Sequence, residues 1–179
     1  MDAIIFLVRT LLQVLLVTVF LLRVLLPLVR ADTRNQLTQA VYRLTNPLVL
    51  PLRKVIPPVG KFDVASLVAL ILVQAATVYI LWLLSTFQIG FSLGFFVKTV
   101  LMSLLGTLIR FYIFAIFLYA LLSLIAPGVY SPASSLLASI CEPLLRPVRR
   151  TIPPIGGFDL SALFVIIGLQ ALHIAIFGL

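Results

Sequence analysis

Four long apolar stretches alternate with polar ones along this chain: residues 3–26, 64–84, 96–125 and 160–177. A helix needs about 20 apolar residues to cross roughly 30 Å of hydrocarbon, so each stretch predicts a transmembrane helix. Arg9 and Arg23 interrupt the first, near its ends, where long basic side chains are expected to reach the headgroups. Gln74 lies in the second, Arg110 in the third, and Gln170 with His173 in the fourth. Residues 91–125 are too many for one plain crossing, and Gly94 or Gly106 offers a break. The short connections on either side favour one long tilted helix there over a re-entrant piece before Arg110.

The pattern repeats. Residues 47–75 read PLVLPLRKVIPPVGKFDVASLVALILVQA, and residues 143–171 read PLLRPVRRTIPPIGGFDLSALFVIIGLQA, ungapped at an offset of 96 with 14 of 29 positions identical. Each copy belongs to a unit of helix, surface segment, basic proline-rich turn and helix. The predicted repeats are residues 1–90 and 91–179. Two spans separate equivalent points, so the copies share orientation and form a parallel repeat about an axis along the membrane normal. The expected fold is an all-α membrane protein: four transmembrane helices as two parallel two-helix repeats with interfacial amphipathic helices.

Local signals fill in the unit. Leu37, Val41 and Leu44 recur at helical spacing and predict a short helix on the membrane surface. Ser131-Pro132 reads as a helix N-cap with proline at the first helical position, followed by the apolar stripe Leu136, Leu137 and Ile140. The diprolines Pro57-Pro58 and Pro153-Pro154 remove two donors each and exclude continuous helix. Irregular backbone of that kind is tolerated at membrane depth only where it is buried in protein or lines water. Just before them, the pairs Arg53-Lys54 and Arg149-Arg150 stand where they reach lipid phosphates or an acidic partner face. Asp63 and Asp159 directly precede apolar runs and are expected to be helix N-caps.

Composition narrows the class. The chain is 63% hydrophobic and 10% charged, against about 45–50% and about 25% in soluble domains. The net charge is +8. Its cations are dispersed between spans without a basic helix or stacking platform, which points away from direct nucleic-acid binding. Residues 27–62 and 126–158 hold nine cations, against Lys98 on the opposite side. The positive-inside rule makes the rich face cytoplasmic and puts both termini outside the cytoplasm. The first span has no charged n-region and no small-residue cleavage site, so it reads as retained.

Ionisable and amide groups inside the spans are functional candidates by their cost alone. At 1.5 Å per residue Gln74 and Gln170 lie about 16 Å deep, and Gln13, Arg110 and His173 roughly 21–23 Å deep. Together they would form a polar seam between the repeats, which could pass water or small ions; the plainer reading of the glutamines is interhelical hydrogen bonding. One His, one Cys (Cys141) and scattered acids make no nucleophile–base pair and no metal-ligand spacing. No cofactor and no enzymatic activity is expected.

The paired P-L-x-x-P-x-R-[KR]-x-I-P-P-[VI]-G-x-F-D segments resemble the duplicated signature of the YggT family, also called the YlmG family, and the resemblance covers essentially the whole chain. It implies a small multi-pass protein of the bacterial inner membrane, with plastid relatives. It further implies links to osmotic-stress tolerance, ion homeostasis and cell division, and to assembly or nucleoid distribution in plastids. Two function classes follow. One is a scaffold or assembly protein whose basic elements bind anionic headgroups or a cytoplasmic or membrane protein partner. The other is a small-ion channel, which needs a homo-oligomer because four spans leave little room for a water-filled path.

Overall fold

The computed structural model describes residues 2–57, 63–84, 92–125, 131–151 and 160–178, and among them the secondary structure is helical throughout. In chain order the elements are α1 (Asp2–Thr10), a π-helical stretch (Leu11–Val17), α2 (Thr18–Leu28), α3 (Gln36–Val55), α4 (Val64–Leu84), α5 (Leu93–Ile125), α6 (Pro132–Thr151) and α7 (Leu160–Phe177). Among the described residues four stretches are long and apolar enough to cross a membrane: Phe6–Leu28, Val64–Leu84, Leu93–Ile125 and Leu160–Phe177. The third is one unbroken helix of 33 residues, with Gly94 and Gly106 both inside it. The outer faces of the spans carry exposed Leu72, Phe95, Phe114 and Ile167, apolar surface of the kind that lipid covers.

The first span is wound more loosely in its middle. Around the π-helical turn Thr18 Oγ1 donates to the Gln13 carbonyl five residues back at 3.3 Å, and the Gln13 amide donates to Thr107 Oγ1 at 2.8 Å. The span stops past Pro27 with Arg30 at φ 53°, a left-handed position that glycine more often fills.

α3 and α6 each have 20 residues and start 96 apart (132 − 36); α4 and α7 start the same distance apart (160 − 64). The expected proline-rich turn is thereby corrected over its first half. Pro47 and Pro51 lie inside α3, and Pro143 and Pro147 inside α6. Each proline removes one helical N–H. At four-residue spacing both fall on one exposed face, where outside groups can satisfy the freed carbonyls. The helices therefore run on to end in Arg53-Lys54 and Arg149-Arg150.

The expected helix of Leu37, Val41 and Leu44 forms as part of α3, with its apolar residues divided between two faces. Val41 is buried, but Leu37 and Leu44 are exposed, and the buried line runs Thr38, Val41, Thr45 and Val49. The helix has three faces: this buried one, an exposed apolar one with Leu37, Leu44, Leu48 and Val55, and a polar one with Gln36, Gln39, Arg43 and Lys54. That partition suits a helix with protein, hydrocarbon and water on three sides. In α6 Leu136 and Ile140 are buried and Leu137 packs against the core. Its cap is reciprocal: Ser134 N–H donates to Ser131 Oγ at 3.1 Å and Ser131 N–H to Ser134 Oγ at 2.9 Å.

The chain forms two compact units, Met1–Pro27 with Val41–Thr107, and Leu28–Ala40 with Leu108–Leu179. In the first, α4 packs on α1 and the π-helical stretch, over a core that includes Val17, Phe20, Leu21, Ala65 and Ala69. In the second, α6 packs on α7 around Ala115, Ile116, Cys141, Leu145, Ala162 and Val165. There Asn35 caps α3 by accepting from Leu37 N–H at 2.9 Å. Its amide donates to the Pro132 carbonyl at 2.7 Å and Ser135 Oγ at 2.9 Å, which ties the starts of α3 and α6.

Candidate functional site

The first unit buries a charge. Arg23, five residues from the end of α2, is only 2% exposed. This corrects the expected reach to the headgroups: the neighbouring helices bring enough oxygen to hold the guanidinium inside. Its Nε donates to Ser66 Oγ at 3.3 Å, and Nη1 is shared among Asn46 Oδ1 at 3.0 Å, Thr45 Oγ1 at 3.3 Å and the Tyr42 carbonyl at 3.4 Å. The guanidinium carbon also lies 4.1 Å from the centroid of the Tyr42 ring, a cation–π arrangement. Residues 42, 45 and 46 share one face of α3 by their i, i+3, i+4 spacing. Ser66 is in the first turn of α4.

From Ser66 the network continues outward. Its hydroxyl donates to Asp63 Oδ2, its N–H donates to Asp63 Oδ1 at 3.3 Å, and Asp63 so caps α4. Arg53 closes the chain with Nη2 on Asp63 Oδ2 and Nε on Oδ1 at 3.4 Å. Burial by itself pushes the Asp63 carboxyl up. The hydrogen bonds from Arg53 and Ser66 and the Arg53 charge outweigh it and hold the group below the usual carboxylate range. The bond to Asp63 in turn raises Arg53 above an ordinary arginine. The order is guanidinium, hydroxyl, carboxylate, guanidinium: two cations share one acid.

The second repeat replaces every part of this buried layer. At the 96-residue offset Arg23, Tyr42, Thr45, Asn46 and Ser66 become Tyr119, Ala138, Cys141, Glu142 and Ala162. The result is apolar: Cys141 and Ala162 are core residues, with Tyr119 packed against them. Burial pushes the Cys141 thiol up to about 12, although nearby Arg149 acts the other way. Arg149, the counterpart of Arg53, pairs with Glu142 at 2.9 Å and lies 5.7 Å from the centroid of the Tyr119 ring.

The residues singled out from the sequence are distributed as follows. Lys54 and Arg150 are exposed and make no hydrogen bond or ion pair with described residues. Pro57 is exposed; Pro58, Pro153, Pro154 and Asp159 lie outside the described residues. Gln74 is fully buried, and neither its amide oxygen nor its nitrogen has a partner among the described residues. Gln170 and Arg110 are exposed, and Arg110, mid-way along α5, has no polar partner among the described residues. His173 is half-buried, its Nε2 without a partner among the described residues and its ring 4.9 Å from that of Phe177. Gln13 is engaged with Thr107. Among the described residues no three His, Cys, Asp or Glu side chains cluster as a metal site.

Sequence reasoning had missed the Arg23 hub. A signal for it existed: these five positions all change together between the two copies.

The profile of the CCB3/YggT family matches residues 1–84 and 99–179. An uncharacterized protein of Pseudomonas aeruginosa is 38% identical over 161 residues, 88% of this chain and 80% of that protein. One from the proC 3' region of Vibrio alginolyticus is 36% identical over 95% of this chain and 91% of its own length. The uncharacterized protein YggT of Escherichia coli K12 is 30% identical, covering 98% and 90%. No solved structure matches.

Proposed function

This chain belongs to the CCB3/YggT family, and from that premise we propose that it is a membrane-embedded scaffold or assembly protein, not an enzyme, which presents two basic helix ends to an acidic face of a protein partner. In this reading it resides in the inner membrane with those ends in the cytoplasm. The links to osmotic stress, ion homeostasis and cell division are then consequences of what it helps to assemble.

One observation carries the proposal. Each surface helix ends in two adjacent cations, of which one is held by a carboxylate and the other is left free. Arg53 pairs with Asp63, and Arg149 with Glu142, while Lys54 and Arg150 stay exposed. The carboxylates come from different places, the start of α4 in one copy and α6 itself in the other, yet both leave one free cation at the same position. An arrangement kept only for stability would not need the second charge, because exposed ion pairs contribute about 0–1 kcal/mol.

The test is the double charge reversal Lys54→Glu/Arg150→Glu. Tagged chains would be cross-linked in cells and co-isolated with their neighbours. The expected result is loss of a specific cross-linked partner with the melting temperature of the purified protein unchanged. Wild-type cross-linking by the variant overturns the proposal.

The channel reading has one observation in its favour, the amide of buried Gln74 at mid-membrane depth, which has no partner among the described residues. Arg110 and Gln170 are exposed on the single chain and would line a path only in an oligomer. Ion flux through purified protein in liposomes, reduced by Gln74→Ala, would support that reading. Silence under both anion and cation gradients would remove it.

A further inference from the structure

The cluster around Arg23 has more positive charge than its hydrogen bonds account for. Four neutral oxygens accept from Arg23, which satisfies donors but does not neutralise charge. Its Nη2 donates to no described residue. The one carboxylate in the network, Asp63, is reached through Ser66 and is already taken by Arg53. Arg53 remains 41% exposed by side chain, and Lys54 beside it is exposed and unpaired. Charge buried at low dielectric without a counter-ion is costly, and its field reaches further than one in water.

The second repeat lacks the buried charge, although Arg146 and Arg150 stay exposed on α6. Tyr119 replaces the buried guanidinium, and Glu142 replaces Asn46, so an acid stands where the first repeat has only an amide. Arg149 thus has its carboxylate to itself, with an uncharged ring beneath it.

We infer that the first repeat, and not the second, carries a binding site for an anionic phospholipid headgroup. Arg53 and Lys54 contact the phosphate, and the buried Arg23 acts beneath them as a positioning residue whose uncompensated charge the phosphate neutralises. The site goes beyond the scaffold role and stands without it. A lipid fits better than a free phosphate for two reasons. Arg23 lies five residues, about 7.5 Å, inside the end of α2, beneath the headgroup layer that a lipid phosphate occupies. The adjoining face of α3 exposes Leu44, Leu48 and Val55, which suits acyl chains and not water.

The experiment measures lipid retention by the purified full-length protein in detergent, with native mass spectrometry as the readout. The probes are phosphatidylglycerol, phosphatidylcholine and inorganic phosphate. Wild type is expected to retain phosphatidylglycerol over phosphatidylcholine, with inorganic phosphate competing only weakly. Each cation at a membrane surface is worth about fivefold in affinity, so Lys54→Ala should weaken phosphatidylglycerol by about that factor and Arg150→Ala should not. Arg23→Met should weaken it by at least as much, and Arg23→Lys, which keeps the charge, should restore it. Should Arg23→Met fail to fold, the comparison of Lys54→Ala with Arg150→Ala still decides. Equal retention of both lipids, equal effects of those two variants, or full displacement by inorganic phosphate would each overturn the inference. Partner recruitment by Lys54→Glu/Arg150→Glu is read separately, so failure of one idea is visible apart from the other.

Discussion

Arg23 donates hydrogen bonds to residues 19 to 43 positions away in the chain, and its stability depends on all of them. Removing the guanidinium leaves the buried Ser66 and Thr45, and the half-buried Asn46, short of a donor. An unsatisfied buried polar group costs about 1–3 kcal/mol. Arg23→Met should therefore lower the melting temperature clearly, and Arg23→Lys by less. Asp63 makes the pH dependence of this cluster. Its folded pKa is depressed, so the stability it contributes is present above the ordinary carboxylate value of about 3.9 and is lost as pH falls through the lower, folded value. Thermal melts between pH 6 and pH 3 should show a fall at the acid end that Asp63→Asn lacks. Arg53 stays protonated throughout and adds no window of its own.

Among the elements, α3 and α6 depart furthest from what local rules suggest. Two prolines inside a 20-residue helix each cost a hydrogen bond, and the helices persist because tertiary burial of Val41, Thr45 and Val49, or of Leu136, Ile140 and Leu145, holds the opposite face. Their starts are more ordinary and were readable in advance at Ser131-Pro132, where the expected cap forms. Ser131→Ala should destabilise by about 1 kcal/mol, the usual worth of an N-cap. Asn35→Ala should cost more, because the same side chain also donates to Pro132 and Ser135 at the start of α6. Thermal melts of the two variants in one detergent check the order; a larger loss at Ser131 would contradict it. The stripe Leu37, Val41, Leu44 marked a helix correctly, but Val41 faces protein while Leu37 and Leu44 are exposed. Periodicity locates apolar residues on a helix, but beside a membrane both lipid and protein take apolar faces, and the pattern does not say which.

For the whole molecule, four spans and the basic bias of residues 27–62 and 126–158 make a definite expectation of topology. Single added cysteines test it without removing the native one, because Cys141 is fully buried with its thiol pushed up to about 12. With the basic helix ends in the cytoplasm, Ser92→Cys should react with a membrane-impermeant maleimide on intact cells. Asp32→Cys should react only after the membrane is opened. The reverse pattern would put Lys54 and Arg150 on the wrong side for a cytoplasmic partner.

The third helix, favoured in the sequence for its short connections, is unbroken in the structure. The four spans, the 96-residue repeat and the family were legible in the sequence alone. All of these rest on hydropathy over about 20 residues or on identity between aligned positions, and neither needs the chain to be folded. Tertiary structure alone decided that Arg23 is buried while Arg110 is exposed, although both are arginines within apolar helices. The difference lies in what the neighbours bring. α3 and α4 bring Tyr42, Thr45, Asn46 and Ser66 to Arg23, so its donors are met inside the protein, and no described residue brings an oxygen to Arg110. Burial of a charge is settled by groups distant in sequence, and only folding brings them together.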